Sequence, residues 1–202
     1  MSATNPEREQ DRAEDLLDNW RTTGYIMFRQ QRAIYWQLAE RLQRANVLEA
    51  GCGAGVGTAI LAQRVNSIVG TDKSKNNVAF AKALYPWIDF GVWDIGQPSL
   101  QLRDVVVAVE VLEHVADPVA ALYHLIAAAR REVWFSTPNG RGKPRPPSNP
   151  FHCAEYTPAE VIQLVRAVRL ECSIHVLSWE TFEPVSPDTT NVDPLVYKVE
   201  LL

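Results

Sequence analysis

The feature that most constrains this chain is a run of four glycines on alternate positions, directly after a short apolar segment. The run occupies positions 51 to 57 within the sequence VLEAGCGAGVGT, and a helix-like stretch from Ala59 to Arg64 follows it. Glycine allows positive φ and removes the Cβ atoms that would block a ligand. A helix N-terminus beyond the loop offers N–H groups without intrahelical partners. The pattern therefore predicts a strand, a tight loop and a helix that together hold a nucleotide-like cofactor against the backbone.

The spacing of these glycines distinguishes between two classes of cofactor. The dinucleotide-binding fingerprint is G-x-G-x-x-G, but here Gly51 and Gly53 are followed by Val56 at the third position. Glu49, just before the loop, is unsuited to a pyrophosphate, whereas a carboxylate suits a cation such as an α-amino group or a sulfonium. The chain also contains no Tyr-x-x-x-Lys pair. A nicotinamide-dependent oxidoreductase is therefore the less favoured interpretation.

Strand-like and helix-like segments alternate along the rest of the chain. Strands are predicted over 45–50, 66–72, 87–92, 102–109 and 132–136, with a terminal pair over 170–177 and 195–202. Helices are predicted over 8–20, 25–44, 59–64, 74–85, 119–130 and 157–169. Ser74, Asp117 and the box formed by Thr157 and Glu160 are typical of helix starts. The order predicts an α/β fold, a Rossmann-like seven-stranded and mostly parallel sheet with helices on both faces, preceded by one or two N-terminal helices.

Composition excludes several classes of protein. The net charge of −4 provides no general attraction to nucleic acid or to an anionic membrane. No apolar run approaches the ~18 residues of a membrane span, and the polar residues 1–18 do not resemble a signal peptide. The three cysteines are odd in number and lack C-x-x-C spacing, so neither disulfides nor a zinc site are expected. We expect a cytoplasmic protein with no metal site.

Residues at the ends of three predicted strands carry candidate chemistry. Asp72 closes the second strand and can accept both ribose hydroxyls of an adenosine, although an aspartate here can also cap a helix. Asp94 follows the third strand, where a solvated loop residue is the alternative. Glu113 and His114 follow the fourth strand and are well placed to handle a proton, although both can equally be structural.

Several of these segments resemble one family. The segment that begins at Glu49 resembles the E/D-x-G-x-G-x-G motif of the class I S-adenosylmethionine (SAM)-dependent methyltransferases. The segment Glu110-Val111-Leu112-Glu113-His114-Val115 is similar to the E-x-L-E-H-V signature of small-molecule methyltransferases of the ubiquinone-biosynthesis type. Segments 136–139 (STPN), 149–152 (NPFH) and 155–160 (EYTPAE) are also similar to parts of such enzymes. The resemblance covers about residues 47–160.

The resemblance implies SAM as cofactor and methyl transfer to a small or medium-sized acceptor, at oxygen or nitrogen. It places Glu49, Gly51, Cys52, Gly53, Asp72, Lys73, Asp94, Ile95, Glu110 and Val111 around the cofactor, with Arg29 as a partner for its carboxylate. His114, His152 and Glu113 are the candidate catalytic residues. We expect residues 1–44 to form helices on the acceptor side and residues 45–202 to form one compact SAM-binding domain.

The loop 137–150 is rich in proline and carries three cations, Arg141, Lys143 and Arg145. They can hold the phosphate or carboxylate of an anionic acceptor, or they can be an ordinary solvated charge run. Two alternatives to a small-molecule methyltransferase remain open. One is a non-catalytic SAM-binding subunit that needs a partner, and the other is a nucleotide or nucleic-acid methyltransferase. The acidic balance of the chain disfavours long nucleic acid.

Overall fold

The computed structural model describes residues 26–144 and 146–202 of the chain. In chain order the elements are α1 (Ile26–Arg41), β1 (Asn46–Ala50), α2 (Val56–Leu61), β2 (Ser67–Asp72), α3 (Lys75–Leu84), β3 (Asp89–Val92), β4 (Arg103–Val109), a short 3-10 turn (Leu112–His114), α4 (Pro118–Ala127), β5 (Ala129–Thr137), α5 (Pro158–Val168), β6 (Cys172–Ser178) and β7 (Leu195–Leu201). The helix predicted over 8–20 lies outside the described residues. Within the described ranges, no helix is long and apolar enough to cross a membrane.

The seven strands form one sheet in the order β3-β2-β1-β4-β5-β7-β6. The first five strands pair in parallel, and β7 lies antiparallel between β5 and β6. The strand order reverses between β1 and β4, because β2 and β3 extend the sheet to one side and β5 to the other. Ligands of open α/β sheets bind at such a reversal, beyond the carboxyl ends of the strands. The Rossmann-like, mostly parallel sheet predicted from the sequence is confirmed.

The composition of β4 follows from its position in the middle of the sheet. Val105 and Val107 pack on one face, in a cluster with Ile34 of α1. Val106 packs on the other face, in a cluster with Leu122 of α4. Successive side chains of a strand point to opposite faces, so a strand that is covered on both faces needs apolar residues throughout. Helix α1 therefore contributes to the core that supports the sheet.

The predicted helix starts are confirmed by their capping hydrogen bonds. Ser74 Oγ accepts from the third N–H along the chain at 3.3 Å, and Asp117 Oδ1 does the same at 3.0 Å. Thr157 and Glu160 form a reciprocal capping box, in which Thr157 N donates to Glu160 Oε2 at 2.8 Å and Glu160 N donates to Thr157 Oγ1 at 3.3 Å. These bonds satisfy backbone N–H groups that the first helical turn leaves without partners.

Three helix ends differ from the prediction. Helix α2 ends at Leu61, before the predicted end at Arg64. Helix α1 ends at Arg41, and Arg44, whose φ of 67° lies in the left-handed region, belongs to the turn that follows it. The prediction of a helix up to Arg130 was wrong, because α4 ends at Ala127 and β5 already begins at Ala129. Ala129 pairs with Arg103 of β4. This non-local strand pairing prevails over the local helical pattern.

Candidate functional site

The glycine loop lies at the carboxyl end of β1, where the strand order reverses. Gly51, Gly53 and Gly55 have positive φ angles of 72°, 53° and 83°. A Cβ atom at Gly51 would lie 2.5 Å from Val111 Cγ2, whereas a Cβ atom at Gly53 would meet nothing within 4 Å. The loop thus packs closely on Val111 and leaves open space at Gly53. A cofactor can approach the backbone at that point.

Glu49, the acidic residue before the loop, is fully buried. Tyr35 of α1 donates a hydrogen bond of 2.6 Å from its hydroxyl to Glu49 Oε1. The Tyr35 ring occupies the space beside Gly57, where a Cβ atom would lie 2.1 Å from ring atom Cζ. Glu49 Oε2 has no hydrogen-bond partner among the described residues, and burial raises the pKa of Glu49 to about 7. The carboxyl group lies in the base of the loop, and its contact with a cofactor cation stays a prediction.

Asp72, at the end of β2, connects the glycine loop to the next helix. Its Oδ2 accepts the Gly53 N–H at 2.9 Å. Its Oδ1 accepts the Ser74 N–H at 2.9 Å and an Asn77 side-chain N–H at 3.2 Å. Asp72 is therefore both a helix-capping residue and a support for the open position at Gly53. A further bond to a ribose stays a prediction.

Asp94 and Ile95, beyond β3, were predicted to contact an adenine ring. The Asp94 carboxylate is exposed and accepts the Gly96 N–H at 2.9 Å. The Ile95 side chain is buried in the core, and its carbonyl accepts a 2.9 Å hydrogen bond from His124 Nδ1. These hydrogen bonds hold the segment just beyond the end of β3, where it could contact an adenine ring. The contact itself stays a prediction.

Three other predicted cofactor residues have different surroundings. Cys52 is buried, and this burial raises the pKa of its thiol, as expected for an unreactive structural cysteine. Lys73 is exposed directly after Asp72, and Arg29 is exposed on α1. Their proposed contacts with a cofactor stay predictions.

Glu110 lies between β4 and the 3-10 turn in a left-handed conformation, with φ of 56°. Ser136 of β5 donates a hydrogen bond of 2.7 Å from its hydroxyl to Glu110 Oε1, and the Glu110 N–H donates to the Ser136 carbonyl at 3.1 Å. Burial raises the pKa of Glu110 to about 7. These contacts hold the chain in the sharp turn that places the following residues beside the reversal point.

The three predicted catalytic residues, Glu113, His114 and His152, come together beyond the end of β4. One ring nitrogen or carboxylate oxygen from each lies within 4.8 Å of the others. His114 Nε2 is 3.9 Å from Glu113 Oε1, and the centroids of the two imidazole rings are 4.9 Å apart. Thr137 Oγ1 donates to Glu113 Oε2 at 3.1 Å. Burial, together with the negative charge of Glu110, raises the pKa of Glu113 well above its usual value.

Neighbouring groups fix the orientation of both imidazole rings. His114 Nδ1 lies 2.8 Å from the Phe151 carbonyl oxygen. His152 Nδ1 lies 2.7 Å from Glu155 Oε1, and its Nε2 lies 2.9 Å from the side-chain amide nitrogen of Asn149. The side chains of His152 and Glu155 are 7% and 9% exposed, and that of His114 is 23% exposed. Only the His114 ring therefore has a substantial face towards solvent.

The described part of the proline-rich loop does not present the free cations that an anion site requires. Its two described cations pair with carboxylates of the chain itself, with N–O distances of 2.7 Å for Arg141–Asp188, 2.7 Å for Lys143–Asp193 and 3.3 Å for Lys143–Glu155. Arg145 lies outside the described residues. Within the described part of the loop, the predicted role in holding an anionic acceptor thus has no support from unpaired charge.

Two residues of the site were missed by sequence reasoning. Tyr35 has a hydroxyl on the face of α1 that also carries Leu38 and Leu42, and a buried hydroxyl needs a polar partner. The sequence therefore indicated that Tyr35 needs a polar partner, but it did not indicate that this partner is Glu49. Glu155 follows His152 by three positions, which is a local spacing that brings a carboxylate to an imidazole.

Comparison with known proteins agrees with this geometry. The model of a protein family described as a methyltransferase domain matches residues 24–171. A probable S-adenosylmethionine-dependent methyltransferase of Mycolicibacterium smegmatis is 33% identical over 154 residues, which are 71% of this chain and 59% of the relative. A protein of Mycobacterium tuberculosis with the same description is 30% identical over 149 residues, which are 68% of this chain and 53% of the relative.

The chain thus spans between half and three-fifths of the length of these curated relatives. Among solved structures, the N-methyltransferase NodS of Bradyrhizobium japonicum, in complex with S-adenosyl-L-homocysteine, superposes with a TM-score of 0.72 at 19% identity. The superposition covers 98% of this chain and 99% of NodS. At 19% identity, this similarity is evidence for the fold alone.

Proposed function

The chain belongs to the class I SAM-dependent methyltransferases, and on this basis we propose that it transfers a methyl group from SAM to an oxygen or nitrogen of a small or medium-sized acceptor. One observation carries the proposal. The open backbone at Gly53 follows β1, and Glu113 and His114 follow β4, its neighbour in the sheet. His152 joins these two residues from the segment after β5. A cofactor on the loop would therefore lie next to a cluster of polar side chains.

The cofactor half of the site centres on Asp72. A carboxylate has about four lone-pair positions, and Asp72 uses three of them for Gly53, Ser74 and Asn77. It retains the capacity to accept a ribose hydroxyl. Because it also holds the Gly53 N–H, loss of its charge would affect both the ribose contact and the shape of the loop.

Methyl transfer requires the protein mainly to align the two reactants and, for some acceptors, to remove a proton. The acceptor atom attacks the methyl carbon, the carbon–sulfur bond breaks, and its electron pair stays on sulfur, which becomes a neutral thioether. The enzyme holds the two reactants in line and excludes water. A hydroxyl acceptor must also lose its proton. We assign the handling of that proton to the cluster of Glu113, His114 and His152.

The experiment that tests the cofactor assignment is calorimetric titration with SAM, S-adenosylhomocysteine and NADH. The wild type should bind both adenosyl compounds and not NADH. Asp72→Asn should weaken binding by about tenfold or more, since a hydrogen bond to a charged group contributes ~1.5–3 kcal/mol. Asp89→Asn is the matched control, because Asp89 is exposed at the start of β3 and should bind as the wild type does. An unchanged dissociation constant in Asp72→Asn would contradict the assignment.

Turnover separates the two remaining alternatives from this function. A non-catalytic SAM-binding subunit would bind cofactor but methylate no acceptor in a broad panel. A nucleic-acid methyltransferase would bind oligonucleotides with a strong dependence on salt. The ion pairs of Arg141 and Lys143 disfavour it.

We also propose a cytoplasmic location and an acceptor-side role for the N-terminal residues 1–44. Cys52, Cys153 and Cys172 are free thiols, which suits a reducing compartment. Helix α1 packs beside the glycine loop through Tyr35, which supports a role of this region near the site.

A further inference from the structure

We propose that a chain of hydrogen bonds beginning at Glu155 holds His114 with its proton on Nδ1, which makes His114 Nε2 the atom that takes the proton of the acceptor. His152 and Asn149 are the intermediate members of this chain, and like Glu155 they are positioning residues. The inference rests on the proposed methyl transfer and deepens it, because it gives the two candidate histidines different roles.

The backbone fixes the segment 149–155, which carries this chain, over the 3-10 turn. Cys153 N–H donates to the Glu113 carbonyl at 2.7 Å, and Gly140 N–H donates to the Tyr156 carbonyl at 3.0 Å. Neither bond involves a side chain. A side-chain substitution in the chain should therefore change the orientation of the rings while the segment itself stays in place.

The bonds of Asn149 determine where His152 carries its proton. Asn149 Oδ1 accepts the Phe151 N–H at 3.0 Å, so the amide nitrogen is the atom that lies 2.9 Å from His152 Nε2. An amide nitrogen donates and does not accept, so His152 Nε2 is the acceptor. In the neutral ring the proton is then on Nδ1, which donates to Glu155 Oε1 at 2.7 Å.

His152 is therefore placed to orient other groups rather than to remove a proton. Both of its ring nitrogens have partners within the segment, and its side chain is only 7% exposed. Glu155 Oε2 lies 3.3 Å from Lys143 Nζ, which holds the carboxylate from its other side. Asn149 holds the backbone next to His152 in two ways, because its side-chain oxygen accepts the Phe151 N–H and its carbonyl oxygen accepts the His152 N–H at 3.1 Å.

The Phe151 carbonyl determines where His114 carries its proton. This oxygen lies 2.8 Å from His114 Nδ1, and because a carbonyl oxygen only accepts, Nδ1 is the protonated nitrogen. In the neutral ring, Nε2 then has the lone pair that a base requires. The His114 side chain is 23% exposed and follows β4, the neighbour of the strand that leads to Gly53. His114 is thus the histidine that an acceptor beside the cofactor can reach.

The proton transfer balances as follows for a hydroxyl acceptor. The O–H bond breaks, its electron pair stays on oxygen, and the proton bonds to the lone pair of His114 Nε2. The oxygen forms a bond to the methyl carbon while the carbon–sulfur bond breaks, and that electron pair stays on sulfur. The imidazolium then releases its proton to solvent. A positioned base of this kind contributes about 10²–10⁴-fold to the rate.

The test is long-range ¹H–¹⁵N NMR of the imidazole rings, which shows which ring nitrogen carries the proton. The chain has four histidines, so single substitutions assign each signal. In the wild type, the neutral rings of His114 and His152 should both carry the proton on Nδ1. Asn149→Ala should shift His114 towards the form protonated on Nε2. Asn76→Ala, at an exposed position of α3, is the matched control and should leave both rings unchanged.

Asn149→Asp separates the two bonds of the Asn149 side chain. Its carboxylate still accepts the Phe151 N–H, but it has no N–H to donate to His152 Nε2. His152 should therefore take up a proton on Nε2, while His114 should retain its proton on Nδ1. Circular dichroism of each variant identifies a failure to fold, and the wild-type spectrum tests the proton positions without any substitution.

SAM titration of the same proteins separates this inference from the proposed function. A proton on His114 Nε2 in the wild type, or an unchanged His114 ring in a folded Asn149→Ala, overturns the inference even where SAM binds. The expected proton positions without SAM binding contradict the methyl transfer alone.

Turnover of an acceptor from the panel tests the division of roles. His114→Ala should lower kcat by about a hundredfold or more. Asn149→Ala should lower kcat by about tenfold or more with little change in KM, because a misoriented base affects the chemical step. Asn76→Ala should have the kcat of the wild type. A larger loss of kcat in His152→Ala than in His114→Ala would overturn the assignment of the base.

Discussion

Replacement of Glu49 by glutamine should change how the stability of the protein depends on pH. Glutamine has nearly the same shape as glutamate, and it can still accept the hydrogen bond from Tyr35. Its amide group can donate where Glu49 Oε2 now has no partner among the described residues, close to Thr58. The substitution therefore removes one titrating proton and preserves most of the packing.

The magnitude follows from the pKa of Glu49 in the two states. Burial raises it from 4.5 to about 7 in the folded protein. Between these values the folded chain retains a proton that the unfolded chain has lost, so the free energy of unfolding falls as pH rises. The favourable contribution is fully present below about pH 4.5 and is lost by about pH 7. The total change is roughly 3 kcal/mol, at 1.36 kcal/mol for each pKa unit.

Urea denaturation at a series of pH values from 5 to 8 measures this effect. The stability of Glu49→Gln relative to the wild type should increase by a few kcal/mol across that range, provided that unfolding stays two-state. Glu183→Gln, at an exposed position, should keep a constant difference from the wild type. Parallel stability curves for the wild type and Glu49→Gln would refute the argument that burial raises the pKa of Glu49.

Two further substitutions test local features of the fold and the site. Thr157→Ala removes the capping box of α5 and should lower the free energy of unfolding by about 1 kcal/mol in urea denaturation, and a loss near zero would show that Glu160 alone suffices. Gly51→Ala places a methyl group against Val111 at a position with φ of 72°. The substitution should weaken SAM binding in calorimetry and lower the thermal midpoint. Unchanged binding would mean that the loop shape at this glycine is unimportant for the cofactor.

Local sequence patterns predicted the parts of the fold that depend on neighbouring residues. The run Val105-Val106-Val107 indicated a strand buried on both faces, and the caps at Ser74 and Thr157 marked helix starts that the structure contains. The start of β5 was not predicted, because the pairing of Ala129 with Arg103 is a contact between distant segments.

Local motifs also predicted part of the candidate site, but not its contacts between distant segments. The glycine loop and the segment after β4 were visible as motifs, and the structure brings Glu113, His114 and His152 together. Sequence offered no means to see that Lys143 pairs with Asp193, on a different loop. A cation in a proline-rich segment has the same local pattern whether it meets solvent or a distant carboxylate.

The contact between Tyr35, Glu49 and Gly57 has a consequence for variation among related sequences. A side chain larger than hydrogen at position 57 needs the space that the Tyr35 ring fills, and a phenylalanine at position 35 would leave the Glu49 carboxyl without its hydroxyl donor. The three positions should therefore change together or not at all. In an alignment of close relatives, co-variation should thus connect the first described helix to the cofactor loop, although 22 positions separate Tyr35 from Gly57 in the chain.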